Sequence, residues 1–480
     1  VPTEIDSFID KFLVELREDN AAVFVGAGLS RSAGYVDWVG LLSPIATELG
    51  LDAKKEADLV GLAQYHLNNN GANRNQLNQL LVDEFADVAK PTENHEILAR
   101  LPLRTYWTTN YDKLIEKALE RSGKRVDTKY TVEQLATTKR GRDAVVYKMH
   151  GDVDHPDKAI LTKDDYERYH YTHSPFITAL LGDLVDTTFL FLGFSFTDPN
   201  LDYILSRIRS RFAQNQRQHF CIMKRRSRFD GERKADFEYA KTKQKLMTED
   251  LLRFNVKTLF VETYGEITDI LRKIELRFRR RTVFIAGSAA DYGAWGRPAS
   301  EQFLTRLAGN IIDGDYRITS GFGLGVGGAI VSGAVQQIYS TTRRSIDEQL
   351  VLRPFPLGIK DAVEQKKTFA RYREELIAQA GIALFFMGNK AVNDGTIINA
   401  DGVRAEFEMA KNKGLYLVPI GASGSMAKEF WDEVMADLAA LFPRGTAKIK
   451  KLMETIGDAA TPPSDLIKTI RELIDLLAKE

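Results

Sequence analysis

Apolar positions along the chain fall into two alternating patterns. From Ile5 to Leu16 they recur at helical spacing, at Ile9, Phe12, Leu13 and Leu16. Ala21–Val25 then forms a short, continuously apolar run, as a strand buried on both faces of a parallel sheet requires. Runs of the same kind predict strands at Thr105–Thr109, Ala144–Met149, Thr188–Gly193, His219–Met223 and Val256–Val261, with helical patterns between them. An amphipathic stretch from Gly265 to Arg280 ends in Arg279-Arg280-Arg281, and at Thr282 the pattern restarts. The second series predicts strands at Thr282–Ala286, Tyr316–Ser320, Gln349–Pro354, Ile382–Phe386 and Leu415–Ile420. Its helices fall at 299–311, 327–339, 366–379, 403–412, 425–441 and 463–479. Strand–helix alternation throughout predicts an α/β protein of two Rossmann-like parallel-sheet domains, residues 1–281 and 282–480.

The length of 480 residues also calls for more than one hydrophobic core. Lys plus Arg equals Asp plus Glu, 66 each, so the charge balance favours neither nucleic acid nor an anionic membrane as partner. The single cysteine, Cys221, lies in the apolar run Phe220-Cys221-Ile222-Met223 and reads as a small buried hydrophobe. One cysteine excludes an intrachain disulfide and a four-thiolate zinc site. His155, His170 and His173 are too irregularly spaced for a metal-binding helix and read as surface residues; no metal is expected. No apolar run approaches the roughly 20 residues that span a bilayer. The acidic start Val1-Pro2-Thr3-Glu4-Ile5-Asp6 lacks signal-peptide form. The expectation is a cytoplasmic protein.

Candidate chemistry collects at strand ends. Gly26-Ala27-Gly28-Leu29-Ser30 follows the first strand, where glycines allow a tight turn and close approach of backbone N–H groups to a pyrophosphate. Three more strands close on Thr108-Thr109-Asn110-Tyr111-Asp112, on Lys148-Met149-His150-Gly151-Asp152 and on Leu192-Gly193-Phe194-Ser195-Phe196-Thr197-Asp198. In an open parallel sheet such ends face one cleft. Taken singly, Asn110 also reads as a helix N-cap and His150 as a satisfied loop histidine. Thr162, three residues before Asp165, reads as a helix cap.

The ordered set Gly-Ala-Gly-x-Ser, Thr-x-Asn-x-Asp, His-Gly and Gly-x-Ser over about residues 10–265 resembles the sirtuin family. The resemblance implies NAD+ as substrate, with His150 as the base at the nicotinamide ribose and Asn110 placing the attacking group. Gly26, Ala27, Gly28, Ser30, Asp112, Gly193, Ser195 and Asp198 would bind NAD+. Classical sirtuin deacylases carry four zinc-binding cysteines and a Gly-Ile-Pro-Asp-Phe-Arg segment. This chain has neither; Gly34-Tyr35-Val36-Asp37-Trp38 stands at the second. The departure leaves water as acceptor, an NAD+ glycohydrolase rather than a deacylase. A non-catalytic nucleotide binder is the other alternative, and it needs neither Asn110 nor His150. Departure of nicotinamide leaves an oxocarbenium-like ribose, as in glycoside hydrolysis.

In the second half, Gly287-Ser288 closes one strand and Gly321-Phe322-Gly323-Leu324-Gly325 follows the next, favouring backbone contact with phosphate or tight strand–helix packing. About residues 282–425 resemble the SLOG family of Rossmann-like nucleotide sensors, without the Pro-Gly-Gly-x-Gly-Thr loop of its enzymes. The two halves together resemble the effector family of Thoeris antiphage defence. That resemblance implies a cyclic ADP-ribose-type signal made by a TIR-domain partner. It also implies contacts to the signal from Gly287, Ser288, Gly321, Gly323, Arg373, Lys390 and Glu406, and a homotetramer or larger assembly.

Overall fold

A computed structural model describes residues 3–479 except 57, 86–88, 197, 213–214, 341–344, 357, 360 and 443–445; Val1, Pro2 and Thr197, named above, lie outside the described residues. The chain divides into two compact units, Val1–Glu275 and Leu276–Glu480.

The first unit is built on strands β1 (Ala21–Val25), β2 (Thr105–Thr108), β3 (Val126–Lys129), β4 (Ala144–Lys148), β5 (Thr188–Leu192), β6 (His219–Lys224) and β7 (Val256–Val261). They form one sheet in the order β3-β4-β2-β1-β5-β6-β7, and every pairing is parallel. Both β1 and β5 are buried along their whole length, as their unbroken apolar runs require. The sequence pattern missed β3, because Val-Asp-Thr-Lys at a sheet edge carries no apolar run. The sheet reverses direction of growth at β1, which has the earlier β2 on one side and the later β5 on the other. Cleft-forming loops emerge at such a point. Register then fixes their height: Val25 pairs with both Thr108 and Leu192, and Thr108 pairs with Lys148. The loops that start at Gly26, Thr109, Met149 and Gly193 therefore leave the sheet at one level. Cys221 is buried in β6, as its apolar setting predicts.

The second unit holds β8 (Thr282–Ser288), β9 (Arg317–Ser320), β10 (Leu350–Leu352), β11 (Ile382–Met387), β12 (Asn389–Ala391), β13 (Ile397–Asn399) and β14 (Tyr416–Pro419). Five of them form a parallel sheet in the order β10-β9-β8-β11-β14, and β12 pairs with β13 as a separate antiparallel hairpin. Again the first strand, β8, is the reversal point. Its apolar core runs from Val283 to Leu477 and includes the C-terminal helix Pro463–Leu477, which buries Leu466, Ile470, Leu473, Ile474 and Leu477 on one face. The guanidinium groups of Arg281 and Arg471 stand 4.8 and 5.4 Å from the Tyr316 ring, whose hydroxyl donates to Asp475 at 2.7 Å and ties that helix to the base of the sheet.

Candidate active site and effector site

The loops after β1 and β5 meet so closely that only glycine fits. Gly26 N donates to Leu192 O and Gly28 N to Gly193 O, both at 2.9 Å. Gly193 has φ of +64°, and a Cβ there would stand 2.3 Å from Leu29 N. The glycines therefore serve backbone packing first, and that packing holds Ala27 and Ser30 beside the end of β2. The following helix is only Ala27–Ser30 and continues as a 3-10 turn, Arg31–Ala33.

Beside this turn the residues after β2 form a buried polar chain. Asn110 Nδ2 donates to Ser30 Oγ at 3.0 Å, and Ser30 Oγ donates to Asp112 Oδ2 at 2.7 Å. Asn110 N donates to Thr108 Oγ1, which donates in turn to Val25 O. The carboxamide is thus fixed through its nitrogen, while Oδ1 is buried and has no protein partner. A native protein seldom leaves such an acceptor orphaned without a ligand to satisfy it. The helix-cap reading of Asn110 fails: the next helix, Leu114–Arg121, starts after Lys113, and Asp112 Oδ1 accepts from Leu114 N. Ala27, Ser30, Asn110 and Asp112 line one cavity with Tyr35 and Trp38.

His150, fully buried after β4, places Nε2 3.1 Å from Asp198 Oδ2 after β5. Tyr166 OH lies 3.5 Å from both His150 Nδ1 and Asp198 Oδ2. Burial alone would raise the Asp198 carboxyl. Facing His150, and accepting from Leu201 N and Asn200 N, it is held below the ordinary value instead. Asp198 thereby also caps the helix Pro199–Phe212. Ser195 is exposed in the same loop. The chemistry available is a fixed amide acceptor, an imidazole with a carboxylate behind it, and a neighbouring phenol.

Sequence reasoning missed three residues at this site. His95 accepts from Thr92 N at Nδ1, so its Nε2 carries the proton; that atom is buried without a partner. Burial lowers the His95 pKa to about 4 against the opposing charge of Asp112. Its only signal was Thr-x-x-His at a helix start, which forms the observed capping box. Tyr166 stood inside the segment read as a cap. That cap is present: Thr162 accepts from Asp165 N, and Asp165 accepts from Thr162 N. Lys148 was visible only as a polar end to β4. His170 is exposed as expected; His173 is half-buried and stacks on the buried Tyr169.

In the second unit the predicted residues collect around the ends of β8, β9 and β11. A Cβ on Gly323 would stand 1.9 Å from Gly287 O, and one on Gly321 2.8 Å from the Phe355 ring. Ser288 Oγ donates to Asn389 O, next to Lys390. Arg373 lies over the Phe355 ring at 4.9 Å and 3.7 Å from Glu406 Oε1. Its Nε is buried without a hydrogen bond. Burial pushes the Glu406 carboxyl up to about 7, against the pull of Arg373. A Cβ on Gly402 would stand 3.0 Å from the Arg373 guanidinium, and Asp401 pairs with Lys390. The start of the helix Asp401–Asn412 thus joins Arg373, Lys390 and Glu406. Among the described residues no group of three or more His, Cys, Asp or Glu side chains is placed to hold a metal, and no helix is long and apolar enough to cross a membrane.

Residues 104–246 match a SIR2-like domain and residues 266–477 the Sir2- and TIR-associating SLOG family. The chain is 49% identical over 474 residues to the NAD(+) hydrolase ThsA of Bacillus cereus (strain MSX-D12), covering 99% of this chain and 98% of that one. It is also 49% identical over 474 residues to the NAD(+) hydrolase ThsA of Acinetobacter baumannii (strain 532279), covering 98% of each. To the NAD(+) hydrolase ThsA of Cytobacillus dafuensis it is 42% identical over 485 residues, covering 99% of this chain and 97% of that one.

Proposed function

The chain belongs to the NAD(+) hydrolase ThsA family, and from that premise we propose that its first unit cleaves NAD+ into nicotinamide and ADP-ribose with water as acceptor. The observation that carries this reading is the orphaned Asn110 Oδ1, held at the reversal point of the sheet within one polar chain with Ser30 and Asp112. Asn110 Oδ1 accepts a hydrogen bond from the ribose hydroxyl or the attacking water. His150 takes the proton as the nicotinamide–ribose bond breaks, and Asp198 holds the imidazole for that transfer. Positioned acid–base catalysis of this kind supplies about 10²–10⁴-fold. The Gly26–Ser30 turn and the Gly193–Ser195 loop bind the pyrophosphate and adenosine portions.

The second unit gates the reaction as a sensor. Its ligand is a cyclic ADP-ribose-type signal supplied by a TIR-domain partner. Arg373 and Lys390 meet the phosphates and Glu406 a ribose hydroxyl. The association named in the matched SLOG family, and the pairing of these cations with carboxylates that a ligand can displace, support this reading. The protein works in the cytoplasm as a homotetramer or larger assembly, where activation depletes NAD+ during phage infection. An inactive state dominates until the signal arrives, so the signal binds the active state more tightly. The domain division at 281/282 marks the functional halves.

The test is nicotinamide release from NAD+ by the full chain, with and without a cyclic ADP-ribose isomer. Signal-dependent release that is lost in Arg373→Ala, with signal-free behaviour unchanged, is the expected result. Release that ignores every isomer overturns the gating. Absence of release under all conditions overturns the hydrolase.

A further inference from the structure

Directly behind the candidate catalytic residues lies a fully buried lysine with four oxygen partners. Lys148 Nζ donates to Tyr111 O at 3.0 Å, to Asp112 O, and to Asp152 Oδ2 at 2.6 Å, and lies 3.2 Å from Glu116 Oε1. Its side chain is 0% exposed, and those of Asp152 and Glu116 are 3% and 11% exposed. Burial alone would lower the lysine pKa, but Glu116, Asp152 and Asp112 together keep it charged. Burying such a cluster for stability alone is a poor arrangement, because the desolvation of the ions offsets most of their attraction.

The partners of Lys148 explain what the cluster does. Tyr111 O and Asp112 O belong to the loop that carries Asn110; Asp152 belongs to the loop that carries His150. Two backbone bonds join the same loops: Val153 N donates to Tyr111 O, and Met149 N to Thr108 O. Neither reaches Asp112. Among the described residues the Lys148 ammonium bonds both to the Asp112 carbonyl and to the His150 loop, while the half-buried Lys113 pairs with Asp152 and Asp154 across the same loops. Asp152 is fixed in its turn by Asp154 N, which donates to Oδ1 at 2.9 Å.

We propose that Lys148 is a positioning residue for NAD+ cleavage, an internal cationic clamp that sets Asn110 against His150 through the backbone of residues 111–112 and the carboxylate of Asp152. The proposal rests on the hydrolase reading above. A misplacement of about 1 Å between reacting groups costs on the order of 10²-fold in rate, so the clamp acts on kcat. It meets Tyr111 and Asp112 at their backbone carbonyls, away from the side chains that line the cavity, so KM stays near that of the unaltered chain.

The test separates positioning from folding. Lys148→Met alone strands two buried carboxylates and lowers thermal stability. The triple variant Lys148→Met, Glu116→Gln, Asp152→Asn removes all three charges and is expected to recover the melting temperature. Its signal-activated kcat for nicotinamide release should still be lower by on the order of 10²-fold, with KM within about threefold. Recovery of kcat together with stability overturns the clamp. Asp152→Asn alone keeps the side-chain shape and is the second variant: a reduced kcat at unchanged KM supports the clamp, and a kcat equal to that of the unaltered chain overturns it. Amide hydrogen exchange adds a readout independent of catalysis. Faster exchange confined to residues 108–112 and 148–153 in Asp152→Asn is expected, and unchanged exchange there overturns the proposal. Absence of nicotinamide release from the unaltered chain would overturn the hydrolase reading, and exchange would then still decide on the clamp.

Discussion

Asp198 Oδ2 stands 3.1 Å from His150 Nε2, although the strands that deliver them, β4 and β5, are separated in the sheet by β2 and β1. The pair therefore spans the ends of the two strands that carry Asn110 and the Gly26–Ser30 turn. Asp198→Asn keeps an oxygen for Asn200 N and Leu201 N, so its helix cap survives. It removes the anion beside the imidazole. The expected result is a kcat lower by at least about tenfold, within the about 10²–10⁴-fold that positioned acid–base catalysis supplies, with near-unchanged thermal stability. Asp198→Ala should lose the activity and also about 1 kcal/mol of stability through the cap. Nicotinamide assays and melting curves on the two variants check both parts.

The same carboxylate makes a pH prediction. Its folded pKa lies below the ordinary 3.8, so its contribution to stability is present above that value and is lost as pH falls through the folded pKa. Acid melting of the unaltered chain should be steeper than that of Asp198→Asn below about pH 4, and equal acid profiles would contradict the assignment.

Glu406 works in the opposite sense. Burial raises its pKa from the ordinary 4.5 to about 7. A raised carboxyl contributes stability that is fully present below 4.5 and is lost as pH rises through about 7. The second unit should lose on the order of 3 kcal/mol across that window from this group. Denaturant unfolding at pH 5 and pH 8 checks it, and Glu406→Gln should remove most of the difference.

Gly193→Ala tests the packing of the two glycine turns. With φ of +64° and a Cβ 2.3 Å from Leu29 N, the substitution forces the β1 and β5 loops apart. A cost of at least about 1–3 kcal/mol is expected from the backbone conformation alone, together with loss of NAD+ cleavage. Unchanged melting would show that the loops yield freely.

Much of this architecture was legible in the chain, and the reasons differ by element. Ala21–Val25 and Thr188–Leu192 are buried on both faces, so their composition alone marks them as interior parallel strands. Val126–Lys129 is an edge strand with Asp127 and Lys129 paired to each other, and the hairpin β12–β13 is exposed along β13; neither carries a run. The helix Thr446–Gly457 was not expected: its buried positions Ile449, Met453 and Ile456 stand among Lys448, Lys450, Lys451 and Glu454, which thin the apolar signal. At the site, Asn110 and His150 stood out as polar residues closing apolar strands. The pairings of Asp198 with His150, and of Lys148 with Glu116, join residues distant in sequence or in strand order. Local periodicity carries no signal for such contacts.

The most direct measurement is nicotinamide release from NAD+ by Asn110→Ala beside the unaltered full chain, both with an activating cyclic ADP-ribose isomer and both checked for equal melting temperature. Release by the unaltered chain, falling by on the order of 10²-fold or more in Asn110→Ala, is the result predicted for a buried carboxamide that meets the reacting ribose. Equal release by the two proteins would contradict it and move the chemistry away from the Ser30–Asn110–Asp112 chain.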